Sequence, residues 1–301
     1  MDAIENKMDN AIDILEIDSK GRFTYLETTS FFNNFERFRF TPSFSNIIGY
    51  NSKKRLLEII STTDVNLAKT HNYIYTKHPI EHFNVGSDEK LNITEIKDGK
   101  LFFEIISNHN GIYESDTLVF IDSLVSKAVL NKSNDVYYWK NDKSALNLNK
   151  FSNGVKKQIH AVVLKDSILY NSIILNDELS ETGQLITIIA NDIDERIFLI
   201  KDDKATRYTK NFKYSVDKNY TNRIFKFYSS ILGKKYFIEY HKEKNRFRFF
   251  EFDDKNLFIV PVKTIDAVKC NDYFVSKYFG KTYIVFTNSE NNTLRFEALD
   301  F

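Results

Sequence analysis

One cysteine, three prolines, nine glycines and a single tryptophan are all that 301 residues contain of the residues that usually punctuate or staple a fold. The lone Cys270 has no partner in the chain, which excludes an internal disulfide framework and favours a protein made, or assembled into a particle, inside a cell. So few prolines exclude long Pro-rich linkers. No eighteen apolar residues run together, and the most hydrophobic stretches, 185–190 and 257–262, have the length of strands, so no membrane insertion is expected. Met1-Asp2-Ala3-Ile4-Glu5 lacks the basic start and apolar run of a secretory signal, which points away from export by that route. Asn-x-Ser/Thr patterns at Asn92, Asn131, Asn219 and Asn291 then reflect an Asn-rich composition rather than glycosylation. That composition, heavy in Lys, Asn, Ile, Phe and Tyr, is what an A+T-rich coding sequence produces.

What is present is apolar area, with 42% hydrophobic residues including 27 Phe and 17 Tyr, enough for a sizeable core. It is arranged in a repeat. Residues 233–253 (GKKYFIEYHKEKNRFRFFEFD) and 280–300 (GKTYIVFTNSENNTLRFEALD) align without a gap, with eight of 21 positions identical. A weaker third copy spans 183–203. Each copy reads as a hairpin of an apolar run, a polar turn and an alternating run. Phe247 and Phe249 alternate with Arg246 and Arg248, which sends the two sets to opposite faces of a sheet. Further strand-like runs at 205–216, 223–229, 257–266 and 273–279 bring the count to four strands per period of 47 to 50 residues. Residues 159–177 supply the first strands of the copy ending at Asp203, and 91–142 another unit in looser register. Residues 12–26 read as a hairpin, 2–16 alternatively as a short helix, and 53–60 fits helix or strand.

Four strands at this period resemble the blade of a β-propeller, and no particular propeller family. Tryptophan-aspartate signatures are absent, since Trp139 precedes Lys140, and so is the Asp box of sialidases. The resemblance implies an all-β chain: one propeller-like domain over 1–301 with roughly five to seven four-stranded blades. The clearest units are 154–203, 204–253 and 254–301, with 1–90 left unassigned. The paucity of glycine keeps a β-sandwich or a two-domain β protein as the alternative.

Charge is placed unevenly although the net charge is only +1. Segment 204–250 carries thirteen Lys or Arg against three acids, while 176–203 carries eight acids against two bases. Basic residues among aromatics suit a nucleic acid or an acidic partner, through Arg207, Lys210, Lys213, Arg223, Lys234, Lys235, Lys242, Arg246 and Arg248 with Tyr208, Tyr240 and Phe247. The plainer reading makes them solvent faces of strands, matched in sign to the neighbouring acidic unit or to another subunit.

No catalytic, metal or cofactor site emerges from the motifs. His78 and His82 have the i, i+4 spacing of a helical metal site, but Pro79 opposes helix there and the usual glutamate is missing. Asp166, Asp217 and Asp266 lie where propeller enzymes place channel carboxylates, and also where aspartates form turns. The Gly-Lys pairs at 233 and 280 lack the rest of a phosphate loop, and Cys270 has no evident histidine partner. The expectation is a non-enzymatic interaction scaffold or assembly subunit, such as a virus or phage structural component, whose partners are other proteins or copies of itself. The alternatives are nucleic-acid binding through 204–250 and a carbohydrate-active propeller enzyme.

Overall fold

A computed structural model describes residues 10–17, 23–31, 37–41, 46–61, 71–86, 88–109, 112–131, 133–142, 144–163, 171–177, 183–190, 195–210, 222–230, 233–266, 269–278, 281–288 and 293–299. The chain, read above as one domain, divides into two compact units, 1–125 and 126–301. In the first, β1 (Asn10–Ile17) and β2 (Phe23–Phe31) form a hairpin. β3 (Arg37–Phe40), β4 (Asn46–Asn51), β5 (Leu56–Ser61) and β6 (His71–Tyr75) make an antiparallel meander in chain order. β7 (Ile80–Val85), β8 (Leu91–Lys97), β9 (Lys100–His109) and β10 (Ile112–Asp122) make another.

The second unit repeats the pattern. β11 (Val125–Leu130), β12 (Val136–Asp142), β13 (Ala145–Ser152) and β14 (Val155–Val163) form one sheet. β15 (Asn171–Asn176), β16 (Leu185–Ala190), β17 (Glu195–Lys201) and β18 (Lys204–Lys210) form the next. β19 (Arg223–Ser229), β20 (Lys235–His241), β21 (Arg246–Asp253) and β22 (Phe258–Ile265) follow. A short parallel contact of Thr209 and Lys210 with Phe258 and Ile259 joins these last two meanders through their outer strands. β23 (Cys270–Tyr278), β24 (Lys281–Asn288) and β25 (Thr293–Ala298) close the described chain as a three-stranded sheet.

Two of the three repeated hairpins, β16–β17 and β20–β21, are the middle strands of their sheets, and the third, β24–β25, is the last pair of the described three-stranded sheet. Middle strands are buried on both faces because they lie between neighbouring sheets, so they read as dense apolar runs. On β20, Tyr236, Ile238 and Tyr240 join Phe247, Phe249, Tyr273 and Phe286 in one cluster, while Phe237 joins Phe225, Phe250 and Phe252 in the next. Ile48, Tyr50 and Leu57 pack with Phe83 and Ile93 in the first unit in the same way.

Sheet boundaries fall one strand later than the units 154–203, 204–253 and 254–301. In the first two of them the fourth strand belongs after the closing aspartate, since Asp203 and Asp253 sit at tight turns between third and fourth strands. Asp253 Oδ1 accepts the backbone N–H groups of Lys255 and Asn256, both at 3.1 Å, a local turn that in sequence resembles a linker. Of the two stretches that read ambiguously, 56–60 lies in β5 and 10–16 in β1, while 2–9 lies outside the described residues.

The period also continues into the first ninety residues. The turn between first and second strands recurs with the same backbone bond, from the N–H of Thr41, Gly86, Asn131, Asp177 and Ser230 to the carbonyl of Asn46, Lys90, Asp135, Gln184 and Lys234. A second shared device ties consecutive sheets. The Tyr50 hydroxyl accepts the Ile80 N–H at 2.9 Å and the Tyr240 hydroxyl accepts the Cys270 N–H at 3.0 Å, each thirty residues on.

Candidate functional site

The basic segment supplies the largest group of candidate residues named from the sequence. Its residues come from β18 to β21, where cross-strand register decides which charges meet. Glu239 on β20 lies directly opposite Arg248 on β21, and their side chains pair at 2.9 Å. Arg223, the first residue of β19, reaches the same carboxylate at 3.2 Å. Both Arg223 and Glu239 are fully inside, at 1% and 0% side-chain exposure, so the charges are compensated where water cannot screen them. Beside them Lys210 on β18 pairs with Glu195 on β17. Burial holds the Lys210 ammonium below its ordinary range, and the Glu195 charge opposes that effect.

Glu195, Lys210 and Arg223 line a narrow cleft with Ile197, Phe225, Phe237, Phe250 and Ile259, and its free volume is about 10 Å³. That is small against the roughly 300–1,000 Å³ of ordinary small-molecule sites. Its floor is aromatic and its polar groups are already turned on one another.

The remaining cations named from sequence are also mostly engaged. Lys234 pairs with Glu251 at 3.0 Å, Lys235 with Asp254, and Arg246 with Asp266. Tyr208, expected as a stacking ring, is buried and donates to Asp254 at 2.6 Å. Burial pushes the Asp254 carboxyl up, but bonds from Lys235 and Tyr208 outweigh it and hold the group below the usual carboxylate range. Tyr240 and Phe247 lie in the core. Arg207 and Lys242 are exposed, and Lys213 lies outside the described residues. The structure therefore sets Arg223 and Arg248 on one buried carboxylate with the Lys210–Glu195 pair beside it, and places Lys234, Lys235 and Arg246 in separate pairs.

The other nominees separate in space. His78 stands at a bend before β7 and His82 lies on β7, so their spacing is that of extended chain and puts them on no common helical face. No group of three metal-ligating side chains occurs among the described residues. Asp266 is exposed and paired with Arg246, while Asp166 and Asp217 fall outside the described residues. Cys270 is buried. Asn92 and Asn131 are buried too, and Asn131 Oδ1 caps its turn by accepting the N–H groups of Ser133 and Asp135 at 2.9 and 2.8 Å.

Reading cations alone missed their acids. Glu239 interrupts the apolar run YFIEYH at an inward position, and the turn at 242–245 fixes the register that sets it against Arg248. That signal was present in the hairpin itself. The pairing of Arg223 with the same carboxylate depends on β19 lying beside β20, which the sequence pattern leaves open.

No protein-family model and no curated protein matches the chain. Solved structures do. Kuenenia stuttgartiensis hydrazine synthase matches with a TM-score of 0.64 at 9% identity, over 96% of this chain and 90% of that one. The periplasmic gluconolactonase of Pseudomonas aeruginosa matches at 0.60 and 9%, over 96% and 88%. A Lactobacillus plantarum protein matches at 0.57 and 11%, over 85% and 78%. The first two are β-propellers, and the chain is an all-β protein of that class. At such identities the likeness is one of fold. None of the neighbours supports nucleic-acid binding or a place in a virus particle.

Proposed function

We propose that the protein is a non-enzymatic interaction module, a scaffold or the subunit of a larger assembly, which meets proteins through the outer strands of its sheets. The observation that carries this reading is the exposure of large apolar side chains on those strands: Tyr75 on β6, Ile112 and Phe120 on β10, and Val155 and Val163 on β14. Apolar groups repeated on unpaired sheet edges mark places where another chain adds. The engagement of the basic segment with its own carboxylates supports the same reading, because phosphate binding would have to break those pairs.

The test is native mass by light scattering at low and high salt, with and without mixed-sequence single-stranded DNA. The proposal expects a defined assembly, or association with an added protein partner, that DNA leaves unchanged. A monomer whose mass rises only with DNA, and falls back steeply in salt, contradicts it. Turnover of sugar lactones by the monomer contradicts it as well.

A further inference from the structure

Two of the strands that have a single ladder among the described residues carry opposite charge. β10 is the longest strand, eleven residues, paired with β9 on one side. Natural sheets guard open edges with lysine, proline or β-bulges. β10 has no lysine, arginine or proline and carries its bulges at 115–117 and 120–122. Its sequence, IYESDTLVFID, carries three carboxylates, with Ile112 at 62% and Phe120 at 53% exposure. Asp116 is engaged by Ser107 and His109, and Glu114 lies exposed.

β14, VKKQIHAVV, is the outer strand of its own sheet, paired with β13 alone. It is basic, through Lys156 and Lys157, and Val155 and Val163 stand exposed at its ends. Lys157 shares its charge with Asp203 at 2.9 Å while remaining 60% exposed. The joining of β18 to β22 shows that outer strands of this protein do pair, and in parallel.

Set in parallel at one constant offset, the two edges match at three positions. Ile112 meets Val155, Glu114 meets Lys157 and Phe120 meets Val163. Resting on the assembly reading above, we infer that β10 of one copy of this chain adds in parallel to β14 of a second copy. The contact then has a charge pair beside one apolar end and a second apolar pair at the other. It is heterologous, because each copy offers a different edge to its neighbour. An edge of nine to eleven residues buries little surface, so the association is weak, concentration-dependent and sensitive to salt.

The experiment is sedimentation velocity on the full chain across concentration and salt, with Glu114→Lys and Lys157→Glu alone and mixed. Wild type is expected to sediment as a dimer or larger species at high concentration and low salt, and as a monomer at high salt. Each reversal alone is expected to give the monomer, and an equimolar mixture to restore association. A short bismaleimide is expected to link Phe120→Cys protein to Val163→Cys protein when the two are mixed and to leave each alone monomeric. Those two exposed positions keep the test independent of the charge variants' folding.

Self-association that survives both reversals overturns the edge contact while the assembly reading stands. A wild type that is monomeric at every concentration also overturns the contact, whereas binding of an added protein partner by that monomer would still support the assembly reading. DNA-dependent mass or lactone turnover would overturn the assembly reading whatever the edges do.

Discussion

Replacing Glu239 by alanine should destabilise the second unit more than any other single change in the basic segment. The carboxylate is wholly buried and holds Arg223, 1% exposed, and Arg248, 27% exposed. Removing it strands a guanidinium away from water, which costs about 3–5 kcal/mol when one partner of a buried pair is lost. With a urea slope of roughly 1–3 kcal/mol/M, the midpoint should fall by at least about 1 M. Trp139 is the sole tryptophan and is buried among β12, β13, β16 and β17, so its fluorescence reports this unit. Changing Glu239, Arg223 and Arg248 together to leucine should recover most of the loss, because the desolvated charges go with the carboxylate. A midpoint that moves by less than about 0.3 M in Glu239→Ala, a small fraction of the expected cost, would refute the claim that the network is internal and structural.

Other consequences are as specific. Trp139 Nε1 donates to Thr187 Oγ1 at 2.7 Å, and that hydroxyl donates to the Ile173 carbonyl, so Thr187→Val should cost about 1–3 kcal/mol and shift tryptophan emission. Tyr50→Phe and Tyr240→Phe each orphan one backbone N–H and should cost a similar roughly 1–3 kcal/mol, the first in unit 1–125 and the second in unit 126–301, by amide exchange. Unit 1–125 should have a stability maximum in mild acid. Burial raises the Glu95 carboxyl to about 7, so its contribution is full below the ordinary 4.5 and is lost as pH rises toward 7. Burial, then the charges of Arg39 and Arg37, lower His82 to about 3, so its contribution is full above 6.5 and is lost as pH falls toward 3. Melting temperature followed from about pH 4 to about pH 8 should show Glu95→Gln abolishing the decline on the alkaline side and sparing the acid side; a profile unchanged by that substitution would refute the assignment.

The sequence pattern showed the fold best where strands are buried on both faces. The runs at 185–190 and 236–240 are dense because two neighbouring sheets cover them, and their hairpins carry the repeat. Outer strands such as β14 and β18 are half solvated and follow tight polar turns, so Asp203 and Asp253 read as ends of units when they are only corners. In the first ninety residues the residues at the repeated turn, Thr41 and Gly86, differ from each other and from Asn131 in the next sheet, because the shared feature is a backbone bond that many side chains permit. The candidate site was half legible. Thirteen cations stood out by number, yet whether a cation faces solvent or a carboxylate is settled by register and by neighbouring sheets. Glu239 against Arg248 could be read from one turn, Arg223 against Glu239 only from packing.

Amide hydrogen exchange at several protein concentrations, with and without single-stranded DNA, tests most directly where this protein meets its partners. The account predicts that rising concentration protects amides of β10 and β14 while exchange across 204–250 ignores the DNA. Protection of 204–250 by DNA, with both edges exchanging freely at every concentration, would contradict it.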